Sequence, residues 1–123
     1  MMQLQNFDHV NILTNNLDAM SVWYQQVLGL KLGKRPNFPV GGAWLYLGDT
    51  AIVHLVQTEA EPQAIDPKLE HFALRATGKI AFLADLDARG IAAGLAEVPG
   101  FGITQVNIHD PDGNHIHIDF YDE

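Results

Sequence analysis

The 123-residue sequence predicts an α+β fold of two β-α-β-β-β modules forming a curved, barrel-like mixed sheet. Two observations predict it. The first is an order of elements that occurs twice: an alternating strand, a helix of 3.6-residue period closed by glycine, then three short strand runs. The second is the placement of four of the six histidines. His9 (D-H-V-N-I-L) and His71 (E-H-F-A-L-R) lie in the first strand run of each half, and His54 (A-I-V-H-L-V) and His117 (N-H-I-H-I-D) in the last. The spacing is 45 residues within the first half and 46 within the second, and corresponding histidines are 62 and 63 residues apart.

The elements follow in order. Phe7–Leu13 alternates as a strand. Asn15 and Asn16 suit an N-cap, and Asp18 suits the first turn of a helix. Leu17, Met20, Tyr24, Val27 and Leu28 recur at helical spacing up to Gly29, a natural C-cap. Leu30–Lys34 is a short strand stopped by Arg35-Pro36, and the Pro- and Gly-rich loop Pro36–Gly42 follows. Ala43–Leu47 and Ala51–Gln57 form strands joined at Gly48-Asp49. Residues 59–68 are polar, with Pro62 and Pro67, and read as a linker within a single domain. The modules are then residues 5–58 and 69–123, approximately. In the second, Glu70–Ala76 is a strand. Lys79–Arg89 is a helix with Ile80, Leu83 and Leu86 on one side, ended by Gly90. Ala93–Val98 is a weak strand, and Thr104–His109 and His115–Tyr121 flank the turn Asp110–Asn114.

Composition excludes several functions. Seven basic against 15 acidic residues give a net charge of −8, which suits neither a phosphate backbone nor an anionic membrane surface. With no cysteine, disulfides, Cys-ligated metals and a thiol nucleophile are excluded. No apolar run reaches the roughly 20 residues of a membrane span, and no signal peptide is visible, so the expected compartment is cytoplasmic.

What fits is a metal site. Two histidines per module on inward-facing strand positions place four imidazoles on one concave surface, a donor set that suits Zn²⁺, Ni²⁺ or Co²⁺ better than Mg²⁺ or Mn²⁺. On the last strand His115, His117, Asp119 and Tyr121 share one face and Ile116, Ile118 and Phe120 the other. His115 is therefore a rival to His117 as the fourth ligand, or a group behind it. His109 reads as a hairpin residue. Asp110, Asp112 and Asn114 read as a structural turn, since the segment is too short for a calcium loop. Trp44, Tyr46, Phe38, Phe101 and Tyr121 are candidates to line a substrate pocket, with core packing the equal alternative for each; Trp23 and Tyr24 read as core. Arg35 is the basic residue beside the Pro/Gly loop, placed either to meet an anionic substrate or to lie solvated.

Four segments carry a resemblance. F-D-H-V-N-I, S-V-W-Y-Q-Q-V-L-G-L-K, E-H-F-A-L and H-D-P-D-G-N-H-I-H-I resemble, in that order, the segments that mark the vicinal oxygen chelate superfamily. That superfamily holds glyoxalase I, fosfomycin-resistance enzymes, extradiol dioxygenases and bleomycin-resistance proteins. The resemblance implies the glyoxalase-like fold, metal ligands at His9, His54, His71 and His117, a small-molecule substrate, and a homodimer with each site built from both subunits. The family usually has Glu at the position of His117, and glyoxalase I has Glu at that of His54; both are His here. Glyoxalase I moves a substrate proton with a ligand glutamate, which makes His117 and, behind it, His115 the candidate catalytic residues. Three functions are then expected to compete. The first is a metal-dependent glyoxalase-like isomerase, lyase or nucleophile-adding enzyme. The second is an iron-dependent extradiol dioxygenase, for which no carboxylate stands at the expected ligand position. The third is a non-catalytic binding protein of the bleomycin-resistance type.

Overall fold

The computed structural model describes all residues, Met1–Glu123. The chain divides into two compact units, Met1–Gln63 and Ala64–Glu123. Each runs β-α-β-β-β, as the repeated pattern predicts.

Unit one consists of β1 (Val10–Thr14), α1 (Leu17–Gln26), β2 (Lys31–Gly33), β3 (Gly42–Leu47) and β4 (Thr50–Gln57). Its sheet order is β1-β4-β3-β2, with β1 parallel to β4 and the other pairs antiparallel. Helix α1 packs on β3 and β4. It buries Met20 and Tyr24 completely, four residues apart on one stripe, and the core continues through Ile12, Leu45, Val53 and Leu55. Asn16 is the N-cap but makes no side-chain cap bond. Its backbone N–H instead donates to Thr14 Oγ1 at 2.9 Å, which fixes the strand-to-helix corner. Gly29, at φ 72°, closes the helix in a left-handed conformation that costs glycine nothing.

Unit two consists of β5 (Phe72–Ala76), α2 (Lys79–Ala88), β6 (Gly94–Val98), β7 (Ile103–His109) and β8 (His115–Tyr121), in sheet order β5-β8-β7-β6. Strand β8 alternates as expected, with Ile116, Ile118 and Phe120 buried on one face. Helix α2 departs from the expected stripe. Leu86 is buried, whereas Ile80 is exposed. The inward side is set by Phe82, which packs against Phe120 with ring centroids 5.9 Å apart, and Leu86 lies one turn further on. Ile80 precedes Phe82 by two positions and so falls on the other side. The N-terminus of α2 is capped from the far end of the chain: Glu123 accepts from the N–H groups of Gly78 and Lys79, and Lys79 Nζ donates to the Glu123 carbonyl.

The first strands start later than their alternation suggests. Strand β1 begins at Val10 rather than Phe7, and β5 at Phe72 rather than Glu70. Each has only one neighbour, and its ladder opens with Val10 opposite Val53 and Phe72 opposite Ile116. His9 and His71 therefore stand just outside the ladder, each on the residue before it.

Candidate active site

In unit one β4 lies between β1 and β3, so Asn11, His54 and Trp44 stand abreast on three adjacent strands. His9 is two residues before Asn11 and shares its face. The rings stack in that order. His9 and His54 have centroids 3.8 Å apart and planes 11° apart, and His54 and Trp44 are 3.9 Å and 12° apart. His54 Nε2 lies 2.9 Å from the Ala51 carbonyl and donates to it, which leaves Nδ1 with its lone pair. Burial, and then the charge of His9, lowers the His54 pKa below its ordinary 6.5, so this ring is neutral in the physiological range. His9 Nδ1 is 2.6 Å from Asp8 Oδ2. Arg35 lies over the Phe38 ring at 5.0 Å and donates through Nη2 to the Val40 carbonyl at 3.0 Å, while its buried Nε has no partner.

Unit two repeats the register. Ala73, two residues after His71, pairs with His117, just as Asn11, two residues after His9, pairs with His54. A strand position two residues on is the next one on the same face, so each module brings its two histidines to diagonal neighbours by one rule. His71 and His117 have centroids 4.2 Å apart with planes tilted by 43°. Three carboxylate contacts fix these rings. Glu70 Oε2 is 2.6 Å from His71 Nδ1 and 3.0 Å from His115 Nδ1, and Asp119 Oδ1 is 2.5 Å from His117 Nδ1. His115 Nε2 faces Asn107 Oδ1 at 2.8 Å, and Asn107 Nδ2 donates to the Gly94 carbonyl. The hydrogen bonds from His71 and His115 hold the Glu70 carboxyl below the usual carboxylate range.

The donor set fits a divalent transition metal. A ring that donates Nδ1–H to a carboxylate keeps its Nε2 lone pair, as metal-ligating imidazoles do, and His9, His71 and His117 all have that arrangement. The planes of His71 and His117 are already splayed. Those of His9 and His54 are parallel, so their in-plane lone pairs also run parallel and one ring has to turn before both reach one ion. His54 is enclosed on both faces, whereas His9 is stacked on one face only and is 40% exposed, so His9 is the less enclosed of the two rings. Glu70, His71 and His115 also present ligand atoms within 4.8 Å of one another. Their 2.6 Å contact is a hydrogen-bond length, however. Two ligand atoms on a tetrahedral ion with bonds of about 2.1 Å stand about 3.4 Å apart, so these groups as they stand form a hydrogen-bonded network.

The other sequence candidates divide. Trp44 joins the histidines, with Phe38 behind it at 6.4 Å. Tyr46 shares the Trp44 face but is spent on the fold: its hydroxyl donates to the Lys34 carbonyl at 2.5 Å and its ring lies against Gly33, locking β2 to β3. Phe101 is exposed on the β6–β7 turn. Tyr121 lies four residues along β8 from His117, about 13 Å at strand rise, and carries Arg75 on its ring at 3.7 Å. His109 stacks on His115 at 5.2 Å. Asp110 holds its turn, accepting from the N–H groups of Asp112 and Asn114 and from Asn114 Nδ2. Nothing in the strand and helix pattern marks Asn107, Asp8 or Glu70 as site residues, whereas Asp119 is marked by sharing the strand face of His117. The signal for Asp8 and Glu70 is adjacency, an acidic residue immediately before each first-strand histidine.

Comparison with known proteins agrees with this architecture. The sequence model of the Glyoxalase/Bleomycin resistance protein/Dioxygenase superfamily matches residues 6–118. An Arabidopsis thaliana protein named Glyoxylase I 4 is 33% identical over 127 positions, covering 95% of this chain and 71% of that protein. Among solved structures, a glyoxylase/bleomycin resistance protein/dioxygenase domain from Frankia sp. superposes with a TM-score of 0.79 over 97% of this chain and 99% of its own, at 20% identity, a likeness of fold. A virulence protein from Salmonella typhimurium gives 0.76 over 98% and 99% at 25% identity. No helix is long and apolar enough to cross a membrane. With two histidine-bearing β-α-β-β-β units and a family match over nearly its whole length, the chain belongs to the glyoxalase/bleomycin resistance protein/dioxygenase superfamily.

Proposed function

We propose that this chain is a metal-dependent glyoxalase-like enzyme acting on a small oxygenated substrate, with the His9/His54 and His71/His117 pairs as its ligand set. The observation that carries the reading is the shared register: each module places its two histidines on the same diagonal of a parallel strand pair and leaves each ring one nitrogen free of hydrogen bonds. Zn²⁺, Ni²⁺ and Co²⁺ are the ions this nitrogen-rich set favours. When bound, such an ion supplies Lewis acidity, with its charge not offset by anionic ligands.

The chain's own residues supply the rest. Burial shifts His54 towards its neutral form, the form that offers a lone pair. Of the two catalytic candidates, His117 has a free ring nitrogen, whereas both nitrogens of His115 are engaged, by Glu70 and Asn107. The structure therefore supports His115 as a brace for Glu70. Arg35 and Trp44 are the substrate-side groups of unit one: the guanidinium has no acidic partner and suits an anionic substituent, and the indole offers a flat wall. Homodimer assembly and a cytoplasmic location complete the proposal; the exposed Leu13, Leu32 and Leu47 of unit one are apolar surface available for self-association.

The arrangement of Glu70, His71 and His115 favours one second reading, iron-dependent ring cleavage, because it has the two-histidine, one-carboxylate composition of non-haem iron sites. Metal analysis of protein purified without nickel resin, then a substrate panel with each metal restored, separates the two. The proposal expects one zinc, nickel or cobalt ion per chain, lost in a His9→Ala, His71→Ala double variant, and turnover of 2-oxoaldehyde–thiol adducts or a related electrophile. Metal content unchanged in the double variant would end it. Oxygen-consuming catechol cleavage with iron would move the function to the second reading.

A further inference from the structure

We propose that Asp8 and Glu70 are a duplicated pair of positioning residues: each fixes its neighbouring histidine as the Nδ1–H tautomer and so turns the Nε2 lone pair of His9 and His71 into the donor.

Asp8-His9 and Glu70-His71 are separated by the same 62 residues. The side chains differ in length, yet each places a carboxylate oxygen 2.6 Å from Nδ1 of the histidine that follows. A carboxylate accepts and cannot donate, so the proton lies on Nδ1 and the lone pair on Nε2. A neutral histidine side chain in water prefers the opposite tautomer, so the carboxylate changes which atom donates as well as where the ring points. The last-strand partners are fixed by other means: His117 by Asp119 on its own strand, and His54 by the Ala51 carbonyl, which takes the Nε2 proton instead. The first-strand histidines stand outside the ladder and more than a third exposed. They have no ladder partner directly opposite, and the preceding carboxylate supplies a hydrogen bond that fixes the ring.

Glu70 is itself braced. Its Oε2 also accepts from His115 Nδ1, so one carboxylate oxygen on β5's leading edge is shared by two rings, and the His115 ring stands between Glu70 and Asn107. Asp8 has no such brace: the position one module-length before His115 is Ile52, an aliphatic residue. His71 is accordingly the better fixed of the two first-strand histidines, and Glu70 the more consequential of the two carboxylates.

The proposal rests on the metal reading only in its second arm. In the first, ¹⁵N-labelled metal-free protein at about pH 8.5, where imidazoles are neutral, is read by long-range ¹H–¹⁵N correlation of the histidine rings. His9 and His71 are expected as Nδ1–H. Glu70→Ala should switch His71 to Nε2–H and leave His9 alone, Asp8→Ala should do the reverse, and Glu70→Gln, whose amide oxygen still accepts, should restore His71. Both carboxylates are largely exposed, so neither change removes core packing. A wild-type Nε2–H form of His71, or a tautomer indifferent to Glu70→Ala, would overturn the proposal. In the second arm, Zn²⁺ affinity is measured by competition with a chromophoric chelator. Glu70→Ala should weaken binding by about 10–100-fold at unchanged stoichiometry, Asp8→Ala by less, and Glu70→Gln should recover most of the loss. Loss of stoichiometric binding in both Glu70→Ala and Glu70→Gln would make Glu70 a ligand and defeat the proposal. If wild type binds no ion, the metal reading fails and the tautomer arm alone decides.

Discussion

Gly42 and Gly94 are both strand glycines, and alanine at the two positions should act with opposite sign. An alanine Cβ at Gly42 would lie 2.3 Å from the Leu55 carbonyl oxygen and 2.7 Å from Arg35 Nη2. The first is backbone of the neighbouring strand and cannot swing away, so β3 and β4 have to separate by close to 1 Å to restore ordinary contact. At Gly94 the nearest atom is Asn107 Cβ at 3.8 Å, an ordinary contact. Each substitution gains about 0.4–1 kcal/mol from a less flexible unfolded chain. Only Gly42→Ala incurs overpacking, about 1–3 kcal/mol. For a domain of this length the unfolding entropy near the midpoint, about 2.1 cal/mol/K per residue, converts 1 kcal/mol to about 4 °C. Gly94→Ala should raise Tm by about 2–4 °C, and Gly42→Ala should fall about 4–12 °C below Gly94→Ala. Because β3 and β4 carry the Trp44–His54 stack, Gly42→Ala should also change the near-ultraviolet circular dichroism of the native state. Differential scanning calorimetry of both variants checks the shifts. A Gly42→Ala protein as stable as Gly94→Ala, with its aromatic signal intact, would refute the contact-based reasoning.

Two further outcomes follow from hydrogen bonding and ionisation. Asp110 is buried and its carboxylate accepts three bonds within the β7–β8 turn, so Asp110→Ala should cost about 2–3 kcal/mol, seen as a Tm lowered by about 8–12 °C, and added calcium should not restore it. In metal-free protein the lowered pKa of His54 means that below 6.5 the unfolded chain takes up a proton the folded chain resists. Its contribution is therefore complete above that value and declines as pH falls through the folded pKa. The stability difference between wild type and His54→Asn, from urea titrations, should grow between about pH 5.5 and 7.5. Glu70 has the same direction of shift in a lower window. The advantage of wild type over Glu70→Gln should be present above 4.5 and vanish as pH falls below it.

The element order and the histidine pairs were legible because both are written as periods. Alternation marks strands, 3.6-residue recurrence marks α1, and the constant separation of the histidines marks the repeat. Helix α2 was less legible: Ile80 fits an apolar stripe on paper, but the Phe82–Phe120 contact sets the helix rotation, and that contact joins distant parts of the chain. Tyr46 and Trp44 are equivalent in the sequence, two residues apart on one strand face. They differ in role because the β2–β3 register places the Lys34 carbonyl within reach of the Tyr46 hydroxyl and the β3–β4 register places His54 beside Trp44. Register is fixed by turns and packing, so neither partner can be read from alternation. The orienting carboxylates are a different case. Asp8 and Glu70 are adjacent in sequence to the histidines they hold, yet attention to ligand types passes over the groups that fix ligand tautomers.

K-edge X-ray absorption of the protein loaded with one equivalent of zinc or cobalt reads the ligand set itself. Imidazole rings give multiple-scattering features that carboxylates and water do not, so the spectrum counts histidine ligands. About four imidazole nitrogens at about 2.0–2.2 Å are expected in the wild type, and the His9→Ala, His71→Ala protein, which no longer retains its ion, should lose that imidazole signal. A spectrum dominated by oxygen ligands, or an imidazole count that the double substitution leaves unchanged, would contradict it.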